Sequence, residues 1–155
     1  MFRSRNWWPP VSTRLASPIA PAQARRILVV EDHEDTRMML RLLLEMENFV
    51  VLEAEDGEAA LNAAVQQVPD LILMDLSLPG VNGITATQLI RKHRLIAETP
   101  IIFLSGRSEP AQRAAAHAAG GNDFLVKPID IDAMFKVMER WLAPRPQAQY
   151  KGCVT

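Results

Sequence analysis

Cysteine is almost missing from this chain: among 155 residues only Cys153 is one. A single thiol excludes an internal disulfide, and with no CxxC pair or Cys/His cluster there is no zinc-ligand pattern. The fold must then be held by its core, for which a 48% hydrophobic composition is ample. No apolar run reaches the roughly 18 residues that a membrane span needs. Charge of one sign is not in excess either, since 17 Lys and Arg face 18 Asp and Glu for a net charge of -1. That balance gives no general pull toward nucleic acid or an acidic substrate. A reducing, cytoplasmic location away from membranes is the expectation.

Acidic residues are absent before Glu31. In their place stand Arg3, Arg5, Arg14, Arg25 and Arg26, several prolines and the segment Ser17-Pro18-Ile19-Ala20-Pro21. Trp7-Trp8-Pro9-Pro10 follows the first arginines where a secretory signal would have a clean apolar stretch, so none is expected. With no period of 2 or 3.6, residues 1–25 read as a disordered, basic, proline-rich extension. Its arginines and tryptophans would either dock on a partner or stand in solvent.

From Arg26 the pattern becomes regular. Ile27-Leu28-Val29-Val30 reads as a buried strand. Glu34 or Asp35 can cap a helix presenting Met38, Met39, Leu42, Leu43 and Met46 inward, with Asn48 at its left-handed end. Phe49–Leu52 is a second strand. A helix over Gly57–Val68 points Ala60, Leu61 and Ala64 inward, and Pro69-Asp70 breaks the chain before the strand Leu71–Met74. Asn82–Ile96 is expected to be helical, with Ile84, Leu89 and Ile90 inward. Pro100 precedes the strand Ile101–Leu104, and Glu109–Ala119 is a helix ending at Gly120-Gly121. Asp123–Val126 is a fifth strand. Asp130 or Asp132 caps a last helix carrying Met134, Phe135, Val137, Met138, Trp141 and Leu142, stopped by Pro144 and Pro146. His33, His93 and His117 read as solvent-facing or loop residues, and His33, next to Asp32, could influence the site. Five alternations of strand and helix imply a doubly wound α/β fold: a five-stranded parallel sheet between helices.

In such a sheet, ligands bind outside the carboxyl ends of the strands. Glu31 and Asp32 end strand 1, Asp75 ends strand 3, Ser105 strand 4 and Lys127 strand 5. Three carboxylates gathered there repel one another and call for a cation. Carboxylate oxygens with no histidine or thiolate nearby suit a hard ion such as Mg²⁺. One carboxylate could act as a nucleophile toward phosphorus, with Mg²⁺ and Lys127 neutralising the phosphoryl oxygens and Ser105 donating to one of them.

The segments Ile27-Leu28-Val29-Val30-Glu31-Asp32, Leu73-Met74-Asp75-Leu76-Ser77-Leu78-Pro79-Gly80, Leu104-Ser105 and Asp123-Phe124-Leu125-Val126-Lys127-Pro128 together resemble the motifs of the response-regulator receiver family of two-component signalling, the CheY-like superfamily. The likeness runs over residues 26–143, leaving 144–155 as an expected flexible tail. It implies the flavodoxin-like (βα)5 strand order 2-1-3-4-5, with Asp75 as phosphoacceptor. Asp32 would be a direct Mg²⁺ ligand, Glu31 a ligand through water, and the Ser77 backbone carbonyl the completion of the metal site. Ser105 matches the switch hydroxyl and Phe124 the switch aromatic. Lys127 matches the phosphate-contacting lysine, with its bond to Pro128 typically cis. The implied donor is a sensor histidine kinase or histidine phosphotransfer protein. The implied output is a protein target on the face of helix 4, strand 5 and helix 5, with a homodimer possible. A receiver followed by about a dozen residues would carry no DNA-binding domain and would act as a stand-alone switch, shuttle or phosphate sink.

The chain departs from the family at several positions. Gly106 and Gly121 stand where alanine is usual, and Asn48 where glycine is. Phe124 lacks a hydroxyl, so packing alone should separate its inward and outward states. Two rival chemistries fail on single residues. A phosphatase of the haloacid-dehalogenase type needs a second aspartate where Ser77 stands. A flavodoxin-type cofactor module needs a glycine- and hydroxyl-rich loop where Glu31-Asp32-His33-Glu34-Asp35 stands. An unphosphorylated, constitutive docking module is the remaining alternative, and an enzyme acting on any substrate but itself is not expected.

Overall fold

Five short apolar segments pair side by side in a computed structural model that describes residues 24–143. They are β1 (Arg26–Val30), β2 (Val50–Ala54), β3 (Leu71–Asp75), β4 (Ile101–Ser105) and β5 (Asp123–Val126). All pairings are parallel and the order is β2-β1-β3-β4-β5. The helices α1 (Glu34–Met46), α2 (Gly57–Gln67), α3 (Gly83–Lys92), α4 (Pro110–Ala118) and α5 (Ile131–Leu142) are the crossovers and the last cover. Because side chains alternate across a strand, the sheet builds two cores. Leu28, Val30, Ile72, Met74 and Phe103 pack on the side of α2, α3 and α4. Ile27, Val29, Leu71, Leu73, Ile102 and Leu104 pack with Leu40 and Leu44 of α1 and Met134 and Met138 of α5. The fold class expected from the alternation is the one found. The extension and tail expected at 1–25 and 144–155, with Pro144 and Pro146, lie outside the described residues except for Ala24 and Arg25.

Helix α1 turns a different stripe inward from the one expected. Leu40 and Leu44 are fully buried, whereas Met38, Met39 and Leu42 are about half exposed and Met46 is 78% exposed. Its apolar residues spread over more than half of its circumference, so periodicity alone permits more than one rotation. Its two arginines settle the choice. Arg37 donates to the Glu31 carbonyl at 2.8 Å and pairs with Glu53 at 3.3 Å, and Arg41 reaches the same carboxylate at 3.0 Å. The N-cap is His33, which makes no side-chain capping bond; Glu34 and Asp35 lie in the first turn instead, where their charge suits the helix dipole. Asn48 does take the left-handed conformation, at φ 65°. At the other end of the chain Asp130, not Asp132, caps α5 by accepting from the Ala133 N–H at 3.0 Å.

Helix α3 starts one residue after its Asn82 cap and stops at Lys92, short of the expected Ile96. Ala86, Thr87 and Ile90 face the core and Leu89 is exposed. The stop has a visible cause. The Arg91 guanidinium donates to the carbonyls of Ala97 (3.0 Å), Thr99 (2.7 Å) and Gly120 (2.7 and 3.0 Å) and to Asn122 Oδ1 (2.8 Å). The Ala97 and Thr99 acceptors exist only if residues 93–99 leave the helix and fold back. Burial pushes the Arg91 pKa down, with the Glu98 charge opposing.

The glycine at 121 also has a structural reason. A Cβ there would sit 2.5 Å from the Phe103 ring and 2.9 Å from the Ala116 carbonyl. Phe103 is fully buried and cannot swing away, so glycine makes room for a large β4 side chain. We expect Gly121→Ala to lower stability by about 1–3 kcal/mol through overpacking, and Gly121→Ala with Phe103→Leu to recover much of it. Urea denaturation of the two variants checks this.

Candidate functional site

The carboxyl ends of β1, β3, β4 and β5 deliver side chains to one edge because each strand is too apolar to stop earlier. Glu31 is fully buried there, held in place by its own backbone: its N–H donates to the Ala54 carbonyl at 3.1 Å and its carbonyl accepts from Arg37. Asp75, with its side chain 5% exposed, accepts the Ser77 N–H on Oδ1 at 3.0 Å. Lys127 bridges these two anions, with Nζ 2.7 Å from Glu31 Oε2 and 3.3 Å from Asp75 Oδ2. Burial alone would lower the Lys127 pKa. The hydrogen bond to Glu31 and the charge of Asp75 outweigh it, so the ammonium is held above its ordinary 10.5 and stays charged throughout the neutral range. The Lys127–Pro128 peptide is cis.

Asp32 lies at the mouth, within 4.8 Å of Glu31 and His33 when one ligand atom of each is considered. His33 is exposed over three-quarters of its side chain, as expected, yet it contacts both carboxylates, with Nδ1 3.1 Å from Glu31 Oε1 and 3.2 Å from Asp32 Oδ1, so the carboxylates are not free of histidine as the sequence suggested. The hydrogen bond to Glu31, then the charge of Asp32, raises the His33 pKa above 6.5. A raised folded value means that the contact adds stability in full below pH 6.5 and loses it as pH rises through that value. We expect an NMR titration of His33 to give a midpoint above 6.5, and Asp32→Asn to bring the midpoint down. His93 lies just past the end of α3 and is half-buried, and His117 is exposed.

Among the remaining predicted residues, no side chain bonds to Asp75. Ser105 is 1% exposed, accepts the Arg107 N–H at 3.1 Å and lies 3.4 Å from Gln112 Oε1. Its carbonyl takes the Lys127 N–H at 2.7 Å, which ties β4 to β5 beside the site. Ser77 is exposed and joins through its backbone N–H. Phe124 is half-buried against the α2–α4 core, and the Arg113 guanidinium lies 5.0 Å from its ring centre. Packing alone therefore does not hold Phe124 here, because a cation–π contact adds to it. Adjacent α4 residues, Gln112 and Arg113, thus reach the two predicted switch residues. Nothing in the linear spacing pointed to that pair. Gly106 has open space where a Cβ would stand.

Oxygen donors dominate the cluster, and Asp32 Oδ1 is shielded from water with only the His33 ring against it, at 3.2 Å. Burying such an atom unsatisfied is costly, so the donor set fits a hard divalent cation. A cleft of about 1080 Å³ lies at the opposite edge of the sheet, lined by Arg26, Val50, Asp70 and Leu142 among others, and holds none of these residues.

A family model described as the response regulator receiver domain matches residues 27–139. The chain belongs to this family. Among curated relatives, this receiver is 39% identical over 119 residues to the CAI-1 autoinducer sensor kinase/phosphatase CqsS of Vibrio cholerae, covering 76% of the chain and 17% of that protein. It is 36% identical over 124 residues to the phosphate regulon transcriptional regulatory protein PhoB of Klebsiella pneumoniae, covering 78% of the chain and 54% of that protein. The chain thus spans about half or less of the length of these relatives. Its fold superposes on the receiver domain of a sensor histidine kinase from Pseudomonas aeruginosa with TM-score 0.73 and 31% identity, covering 78% of the chain and 99% of that domain. That domain carries a magnesium ion coordinated in its active-site cleft. Among the described residues of this receiver, no helix is long and apolar enough to cross a membrane.

Proposed function

We propose that this receiver accepts a phosphoryl group on Asp75 from the phosphohistidine of a sensor kinase or histidine phosphotransfer protein, in the cytoplasm. A carboxylate oxygen of Asp75 forms the new O–P bond as the P–N bond to the donor imidazole breaks, and the electron pair leaves with the imidazole nitrogen. The observation that carries the reading is the Lys127 ammonium between Glu31 and Asp75 (2.7 and 3.3 Å), with the partly exposed Asp32 at the mouth. Glu31, Asp32, Asp75 and the Ser77 backbone carbonyl would hold Mg²⁺, which supplies charge neutralisation for the phosphoryl oxygens. Lys127 neutralises a further oxygen. Ser105 exchanges its Gln112 contact for a phosphoryl oxygen, and Phe124 leaves Arg113 to follow it inward. The face of α4, β5 and α5 changes shape and is read by a protein target.

Intact-protein mass after incubation with acetyl phosphate tests this. A gain of one phosphoryl group that requires Mg²⁺ is the expected result. No adduct, together with no binding of beryllofluoride, would leave the constitutive docking module as the reading.

A further inference from the structure

Helix α4 holds both switch residues, through two adjacent side chains and two different kinds of contact. Ser105 ends β4, and Phe124 of β5 pairs with Phe103, two residues before it. Side chains alternate across a strand, so Ser105 and Phe124 lie on the same face of the sheet, the one that α4 covers. The Ser105 hydroxyl is already committed there. Its oxygen accepts the Arg107 N–H at 3.1 Å, and it donates to Gln112 Oε1 at 3.4 Å. A hydroxyl has one proton, so none is left for a group bound at Asp75. Next to Gln112, the Arg113 guanidinium lies 5.0 Å from the Phe124 ring centre.

The surroundings allow this grip to open. Gly106 follows Ser105, with open space where a Cβ would stand. Glu109, the N-cap of α4, makes no side-chain capping bond. The Gln112 and Arg113 N–H groups both donate to the Glu109 carbonyl, at 3.0 and 3.2 Å, so the two residues share one turn of backbone. Arg113 is exposed, and a cation over a ring in contact with water is held only weakly. The Ser105–Gln112 bond is long for a hydroxyl donor. Each contact therefore holds without locking.

We propose that the first turn of α4 is an autoinhibitory latch, in which Gln112 and Arg113 are positioning residues that hold Ser105 and Phe124 in the unphosphorylated state. A phosphoryl group at Asp75 must draw Ser105 off Gln112, and the accompanying move of Phe124 must break the Arg113 contact too. Both contacts therefore weaken the binding of a phosphoryl group, as for any ligand that binds a minor state. Arg113, whose contact is with Phe124, thereby sets in part how tightly a group is held at Asp75. This rests on the reading of Asp75 as phosphoacceptor with Ser105 and Phe124 as its switch.

Beryllofluoride with Mg²⁺ stands in for the phosphoryl group, and its affinity for the full chain tests the latch by calorimetry on wild type, Gln112→Met, Arg113→Met and Arg113→Lys. Methionine keeps a straight, helix-favouring side chain at both positions. We expect Gln112→Met to bind about fivefold tighter than wild type and Arg113→Met about two- to fivefold tighter. Arg113→Lys keeps the cation and should bind like wild type. NMR shifts of the Phe124 ring in the free protein report whether Arg113 touches it. Shifts that move in Arg113→Met without a change in affinity would overturn the latch. Shifts that ignore the substitution would do the same, because the contact would then not be made in solution, and so would looser binding by either methionine variant. Wild type that binds no beryllofluoride strikes the phosphoacceptor reading and the latch with it, whereas binding by wild type with equal affinity in Arg113→Met strikes the latch alone.

Discussion

Asp75→Asn will take up no phosphoryl group from acetyl phosphate at any Mg²⁺ concentration, whereas the wild type gains one. The substitution is close to isosteric and touches little else. The amide oxygen can still accept the Ser77 N–H that Oδ1 accepts at 3.0 Å, and Lys127 keeps its 2.7 Å bond to Glu31. What disappears is the nucleophile, because an amide has no anionic oxygen to offer phosphorus. Stability should move little. The lost charge-assisted bond to Lys127, at 3.3 Å and partly open to water, is opposed by relief of repulsion between Asp75 and the buried Glu31, so we expect a change within about 1 kcal/mol. Mass measurement and urea denaturation on the same preparation separate the two effects. Residual adduct in a folded Asp75→Asn would move the acceptor elsewhere, with exposed Ser77 the first place to look.

Lys127→Met should have the second large effect, and on stability as well as on chemistry. Methionine keeps the stem and removes the ammonium, leaving fully buried Glu31 and nearly buried Asp75 without the cation between them. Breaking a buried pair by removing one partner costs about 3–5 kcal/mol. Because Lys127 is 26% exposed, water can partly replace it, and the lower end, about 3 kcal/mol, is the expectation. Mg²⁺ should recover part of that loss by supplying positive charge at the same oxygens, so the denaturation midpoint of Lys127→Met should rise more with added Mg²⁺ than that of wild type. Phosphoryl uptake should fall steeply even at saturating Mg²⁺, since the second neutralising charge is gone. A variant as stable as wild type without Mg²⁺ would show that the ammonium does not hold the two carboxylates together.

Five apolar runs, their turn residues and their polar ends were legible in the linear chain. β-branched and leucine-rich strands of four or five residues announce themselves by composition, and a parallel sheet must bring their carboxyl ends to one edge. That is why Glu31, Asp32, Asp75, Ser105 and Lys127 could be assigned to one place before any coordinate was known. Rotation and reach were decided only in three dimensions. Helix α1 carries apolar residues over more than half of its circumference, and Leu40 and Leu44 took the interior in the rotation that also lets Arg37 and Arg41 meet Glu31 and Glu53. Helix α3 ended early because Arg91 found five oxygen contacts in loops that periodicity does not describe. Glycine at 121 is dictated by the size of Phe103, 18 residues earlier. His33 against the carboxylates, and Gln112 and Arg113 against Ser105 and Phe124, are contacts between side chains whose separation in sequence carries no period. Hydrophobic spacing determines which segments form and where the sheet ends. Which charged side chain meets which partner is settled by packing, because only the assembled fold fixes the distances on which hydrogen bonds and ion pairs depend.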